Sequence, residues 1–175
     1  MFSHLFKKNQ LERNILILGE PGCGKRSFLL HYKDGQIASQ DLHLPEINNL
    51  IYKKKLDNKQ VSLVFTLNET NEELIPSMKK SVSYDLIISL IDLSSDKAKE
   101  KIIHQANIIE DHFPGVKTIY VGTKQDKLVD SDLPDNMIAC SAKTGSGFDQ
   151  FEEILLKKLD LDHQLNETHR CGYGR

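Results

Sequence analysis

Residues 19–27 read Gly19-Glu20-Pro21-Gly22-Cys23-Gly24-Lys25-Arg26-Ser27. Gly19, Gly24 and Lys25 fit the phosphate-binding pattern G-x-x-x-x-G-K-[ST]. The final position of that pattern supplies a hydroxyl to Mg²⁺. Here it is Arg26, and Ser27 follows one residue late. The loop sits between a short apolar run, residues 14–18 (NILIL), and a segment read as a helix, residues 27–32. In that context backbone N–H groups converge on phosphate oxygens, and the helix N-terminus adds partial positive charge. Lys25 is placed to reach the β- and γ-phosphates.

Working outward, residues 33–46 are polar and irregular. Residues 47–56 and 60–67 read as strands joined by a hairpin at Asp57-Asn58-Lys59. Residues 72–82 are compatible with a helix, and 85–91 (DLIISLI) with a buried strand. Ser94 is the expected N-cap of a helix running from Ser95 to about His112, stopped by Phe113-Pro114-Gly115. Residues 117–121 (KTIYV) and 137–140 read as strands. Residues 147–161 form an amphipathic helix with Phe148, Phe151, Ile154, Leu155 and Leu159 on one face. Strands alternating with helices imply an α/β fold with a mostly parallel sheet covered on both faces.

Two further motifs follow strands. Thr123-Lys124-Gln125-Asp126 comes directly after residues 117–121 and Gly122. A carboxylate at Asp126 can accept from N1–H and the 2-amino group of guanine. Adenine offers neither donor, and an unpaired charge disfavours it. The Lys124 stem can cover the base. Ser141-Ala142-Lys143 follows the next strand. There a backbone N–H can reach guanine O6 and Ser141 can brace Asp126. Ligands of open α/β sheets bind at such strand ends.

With GEPGCGKRS, TKQD, CSAKTGSGFDQF and IEDHFPGVKTIYVGTKQD together, the chain resembles the Ras-like small GTPases, most closely the Rab-type branch, over roughly residues 13–161. The resemblance implies a P-loop NTPase fold with six strands and about five helices. It implies a GDP or GTP site formed by Gly19, Glu20, Pro21, Gly22, Cys23, Gly24, Lys25, Arg26, Ser27, Thr123, Lys124, Asp126, Ser141, Ala142 and Lys143. It also implies a switch between GDP and GTP forms, with a protein effector or regulator bound through residues near 34–80. Residues 1–12 then form an N-terminal extension and 162–175 a polar tail.

The departures from the pattern cluster. The family's Mg²⁺ ligands are the loop Ser/Thr and a switch Thr. Arg26 occupies the first position, and residues 34–46 contain no Thr. The family's D-x-x-G should follow the third strand, where Thr66-Leu67-Asn68-Glu69-Thr70-Asn71 has neither Asp nor Gly. Asn71 is the nearest counterpart of the water-orienting Gln. Mg²⁺ dependence is therefore expected to be weak and hydrolysis slow or absent, with poor switching. Arg26 stands in for the metal, or it faces solvent with the metal site lost, or the loop shifts and Ser27 becomes the ligand. The family places a helix between the two guanine motifs. Asp126 and Ser141 leave room for little more than a turn, so the fourth helix is expected to be missing or shortened.

Three functional classes follow: a guanine-nucleotide-binding protein working through partners in signalling or membrane trafficking, a nucleotide-free interaction module, and an active GTPase using Ser27. A P-loop kinase would need an Arg-rich lid that the chain does not show. A formal net charge of −2 gives no general attraction to nucleic acid. No apolar run spans a bilayer. The cysteines Cys23, Cys140 and Cys171 are widely spaced, which suggests reduced thiols in a cytoplasmic setting. The ending CGYGR is not a lipidation motif. A monomer is expected. Cys23 reads as a small loop filler or as a thiol activated by the electropositive loop. Lys53-Lys54-Lys55 reads as a solvated strand end or a partner contact.

Overall fold

Strand β1, Leu11–Gly19, runs through the middle of the sheet, and its apolar half alternates between two layers. Ile15 and Ile17 face one layer, and Leu16 and Leu18 the other. All four are fully buried, as expected of a strand covered on both faces. The computed structural model describes residues 11–35, 49–56, 59–70, 82–128 and 133–161. β1 begins three residues earlier than the apolar run, because Leu11, Glu12 and Arg13 pair with Val61, Ser62 and Leu63. Ladder hydrogen bonds hold these residues in the sheet whatever their polarity.

The other strands are β2 (Asn49–Leu56), β3 (Lys59–Glu69), β4 (Leu86–Asp92), β5 (Thr118–Thr123) and β6 (Met137–Ala139). The sheet order is β2-β3-β1-β4-β5-β6. β2 runs antiparallel to β3, and every other neighbour pair is parallel. The expected hairpin is present, but Lys59 belongs to β3 and pairs with Leu56 rather than lying in the connection.

Three helices lie among the described residues: α1 (Lys25–Asp34), α2 (Ala98–His112) and α3 (Phe148–Lys158). The six-stranded, mostly parallel α/β sheet expected from the sequence is present. α1 starts at Lys25, two residues earlier than expected, and ends where Gly35 turns left-handed at φ 63° and donates its N–H to His31. α2 starts at Ala98 rather than Ser95. Ser94 is not its cap, since its N–H and Oγ both donate to the Asp92 carboxylate. The expected fourth helix is reduced, among the described residues, to a 3₁₀ turn over Gln125–Lys127. Met137 N–H then donates to Pro134 in a turn that enters β6. The segment expected to be helical over 72–82, apart from Val82, lies outside the described residues, as do 36–48.

α1 and α3 cover one face of the sheet through an aromatic cluster. The Phe151 ring lies 4.9 Å from Phe28, 5.4 Å from Tyr32 and 6.5 Å from Phe148. α2 covers the other face through Ile108, Ile109 and the following Phe113. Lys54 is not solvated with its neighbours. It projects toward α3 and pairs with Glu152, and burial pulls its pKa down. Lys53 and Lys55 remain exposed. Phe151 is fully buried, so Phe151→Ala is expected to cost about 3–5 kcal/mol. Urea unfolding of the two proteins checks this, and a loss under about 1 kcal/mol would contradict the packing described.

Candidate functional site

The phosphate-loop residues leave β1 at Gly19 and enter α1 at Lys25. Gly19 is required by close packing: a Cβ there would lie 2.9 Å from the Leu90 carbonyl oxygen and against Cys23 Sγ. Gly24 caps α1 in the left-handed region at φ 95°, where a side chain would be strained. Pro21 and Gly22 are exposed at the tip of the loop. Cys23 is buried, and that burial raises its thiol pKa despite the attraction of Lys25. Cys23 is therefore a loop filler, and the activated-thiol reading is set aside.

The Lys25 ammonium donates to the carbonyls of Gly19 at 2.7 Å and Glu20 at 2.9 Å. It lies within the arch of its own loop. The Glu20 carboxylate turns to α2 and pairs with Lys101 at 2.6 Å. That hydrogen bond, more than anything else, raises the Lys101 pKa. Arg26 and Ser27 are half-buried on the first turn of α1, and neither side chain has a hydrogen-bond or ion-pair partner among the described residues.

The second motif is bound to the first. Thr123 Oγ1 donates to the Cys23 carbonyl at 2.6 Å and lies 3.1 Å from the Ile91 carbonyl. One hydroxyl thus ties the phosphate-loop sequence to the ends of β4 and β5. Lys124 takes a left-handed backbone at φ 58° and donates Nζ–H to Asp92 Oδ2 at 2.6 Å. Burial alone would raise the Asp92 pKa, but hydrogen bonds from Lys124 and Ser94 outweigh it and hold the carboxyl below its ordinary range. Asp126 is exposed at the edge of the site.

The third motif reaches Asp126 directly. Ser141 is fully buried and its Oγ donates to Asp126 Oδ1 at 2.6 Å. That bond, with the nearby Lys143 and Lys127 cations, keeps the Asp126 carboxyl ionised below the usual range. The 141–146 loop is closed by Gly145 N–H to Ser141 and by Ser141 N–H to Ser146. Ser146 Oγ also donates to Gln125 Oε1 at 2.9 Å, a second link between the two guanine motifs. Ala142 packs on the core, and Lys143 is exposed.

The three motifs therefore meet at one edge of the sheet. The donor set suits a nucleotide: a glycine arch with an ammonium in it, and a braced carboxylate beside it. For Mg²⁺, Arg26 stands where the pattern has a hydroxyl ligand, and Ser27 beside it is the adjacent hydroxyl. At the end of β3, Thr70 N–H donates to the Gly19 carbonyl. Asn71 and residues 36–46 of the expected switch lie outside the described residues. Sequence reading missed Asp92, Ser94 and Lys101. A carboxylate ending the mainly apolar strand over residues 86–92 (LIISLID) was the available signal for Asp92.

No protein-family model matches the chain. Two curated proteins are similar at low identity. The GTP-binding protein RHO3 of Eremothecium gossypii is 27% identical over 122 residues, covering 68% of this chain and 54% of that protein. The match therefore spans about half of RHO3. The Rho-related protein racM of Dictyostelium discoideum is 27% identical over 164 residues, covering 90% of this chain and 77% of that protein. Both are Rho-type rather than Rab-type by name. No described helix is long and apolar enough to cross a membrane.

Thr123→Val removes the hydroxyl while keeping the shape. A loss of about 1–2 kcal/mol is expected in urea unfolding, with recovery in Thr123→Ser. Equal stability of Thr123→Val and the parent would remove the tie from the account. The six-stranded, mostly parallel sheet, the glycine loop and the similarity to two Rho-type proteins make this an α/β P-loop, GTPase-like fold, and they support a place among the Ras-superfamily small GTPases.

Proposed function

We propose that the protein binds guanine nucleotide and acts through protein partners in signalling or membrane trafficking, with weak Mg²⁺ dependence and slow or absent GTP hydrolysis. The observation that carries this reading is the Ser141–Asp126 hydrogen bond. A carboxylate held ionised and oriented at a sheet edge has the chemistry to accept two N–H groups from guanine. An interaction module with no nucleotide has no use for it.

The weak metal dependence rests on Arg26. A guanidinium cannot lose its proton and donates bidentate hydrogen bonds to phosphate oxygens. Arg26 is half-buried on the first turn of α1, next to Lys25 and the glycine loop, the place from which a guanidinium could reach a phosphate. Bound Mg²⁺ would supply charge neutralisation at the β- and γ-phosphates. Ser27 is the nearest hydroxyl to hold it. An aspartate and glycine sensing the γ-phosphate are absent from residues 66–71, so GDP and GTP forms are expected to differ little. A ligand pair with equal affinity for two states moves neither. Partner binding is therefore the function, with little dependence on turnover.

The test is to purify the full chain, denature it and identify the released nucleotide by chromatography, with and without a prior EDTA wash. GDP or GTP retained through EDTA is the expected result, and Arg26→Ser should make retention metal-dependent. Guanine nucleotide lost to EDTA would favour a Ser27 metal site and a working GTPase. No nucleotide, with no heat on titration of GDP or GTP, would leave a pure interaction module. The specificity claim has its own check. Asp126→Ala removes two charge-assisted hydrogen bonds and should weaken GDP about 100-fold, erasing the preference over ADP.

A further inference from the structure

Lys124 combines two features that need a common cause. Its backbone stands in the left-handed region at φ 58°, a conformation that persists in side-chain-bearing residues only where surrounding contacts over-determine it. Its ammonium is also tethered, donating to Asp92 Oδ2 at 2.6 Å. Asp92 is itself held. Its other oxygen, Oδ1, accepts the Ser94 N–H at 2.9 Å and the Ser94 hydroxyl at 2.6 Å. Each carboxylate oxygen has its own partner, so the group cannot rotate without breaking charge-assisted bonds at both ends.

The strands set where this happens. Asp92 lies opposite Thr123 in the parallel β4–β5 register, one residue before Lys124. Asp92, Thr123 and Lys124 therefore occupy one level of the sheet edge, beside the glycine loop. A lysine side chain free in solvent samples many rotamers, and a ligand that needs its stem in one place must order it. Here both ends of the stem are already fixed, one by the backbone and one by the carboxylate.

We propose that Asp92 is a positioning residue for the nucleoside half of the site. It pins the Lys124 ammonium so that the methylene stem stands as a fixed wall for the purine, and Ser94 orients Asp92 for that task. Asp92 touches no ligand and acts only through Lys124. The inference rests on the guanine-nucleotide reading above.

The test follows dissociation of a fluorescent GDP analogue from the full chain in Asp92→Asn, Lys124→Met and the double variant, with inorganic pyrophosphate as a competitor that has no base. Methionine keeps an unbranched stem and removes the tether. Asp92→Asn is expected to speed dissociation about fivefold to twentyfold. Lys124→Met should do the same, and the double variant should be no faster than Lys124→Met. Competition by pyrophosphate should change less than about twofold, because the phosphate half is untouched. Additive effects in the double variant, a parallel loss of pyrophosphate binding, or unchanged dissociation in Asp92→Asn would each overturn the positioning role. If Asp92→Asn does not fold, Ser94→Ala takes its place, with a smaller acceleration and the same split between GDP and pyrophosphate. Unchanged dissociation in that variant overturns the role as well. Wild-type protein that binds no guanine nucleotide overturns the underlying reading, and this inference with it.

Discussion

Parallel pairing about β1 is the constraint on which the site depends. Because β3, β1, β4, β5 and β6 run in one direction, the chain leaves each of them at the same edge. The register brings Gly19 level with Glu69 and Leu90, Asp92 level with Thr123, and Gly122 level with Ala139. Residues more than a hundred positions apart in sequence thereby share one patch of surface. That alignment is held by burial, since β1 and β4 are apolar on both faces and a one-residue slip would turn every side chain to the wrong layer.

On this edge a few polar bonds join the loops. The Thr123 hydroxyl links the glycine loop to β4 and β5. The Ser141 hydroxyl links the last loop to the 3₁₀ turn. Both oxygens are in buried residues, so their bonds are costly to lose and hold the loops in register with the strands. The Glu20–Lys101 pair is different. It is partly exposed, and pairs of that kind contribute little to stability. Its effect is to turn a negative charge away from the loop interior and toward α2.

The strands and the three site motifs were legible in the sequence because they depend on short-range signals: apolar runs, glycines at fixed spacing, and a carboxylate after a strand. The shortness of the link between the two guanine motifs was legible from spacing alone, and among the described residues its only helical element is the 3₁₀ turn. Element ends were less so. The start of α2 was misplaced because Ser94 looks like a cap, yet its hydroxyl finds a stronger acceptor in Asp92 two residues back. Lys54 looked solvated because three lysines in a row suggest solvent, but in a strand the middle one points the opposite way, toward Glu152. The ion pairs of Lys124 and Lys101 span 32 and 81 positions, and no local pattern encodes contacts of that range.

The position of Lys25 has a consequence for how the site meets a phosphate. Its ammonium already rests on two carbonyl oxygens of the loop, 2.7 and 2.9 Å away. Much of the cost of ordering a long, flexible cation is therefore incurred when the chain folds, before any ligand arrives. A phosphate oxygen would meet a cation that is already partly dehydrated and held in place. The arch then favours a compact, highly charged anion over a neutral acceptor of similar size. Neutral groups must compete with the loop's own carbonyls on equal terms, whereas a dianion gains from the full charge.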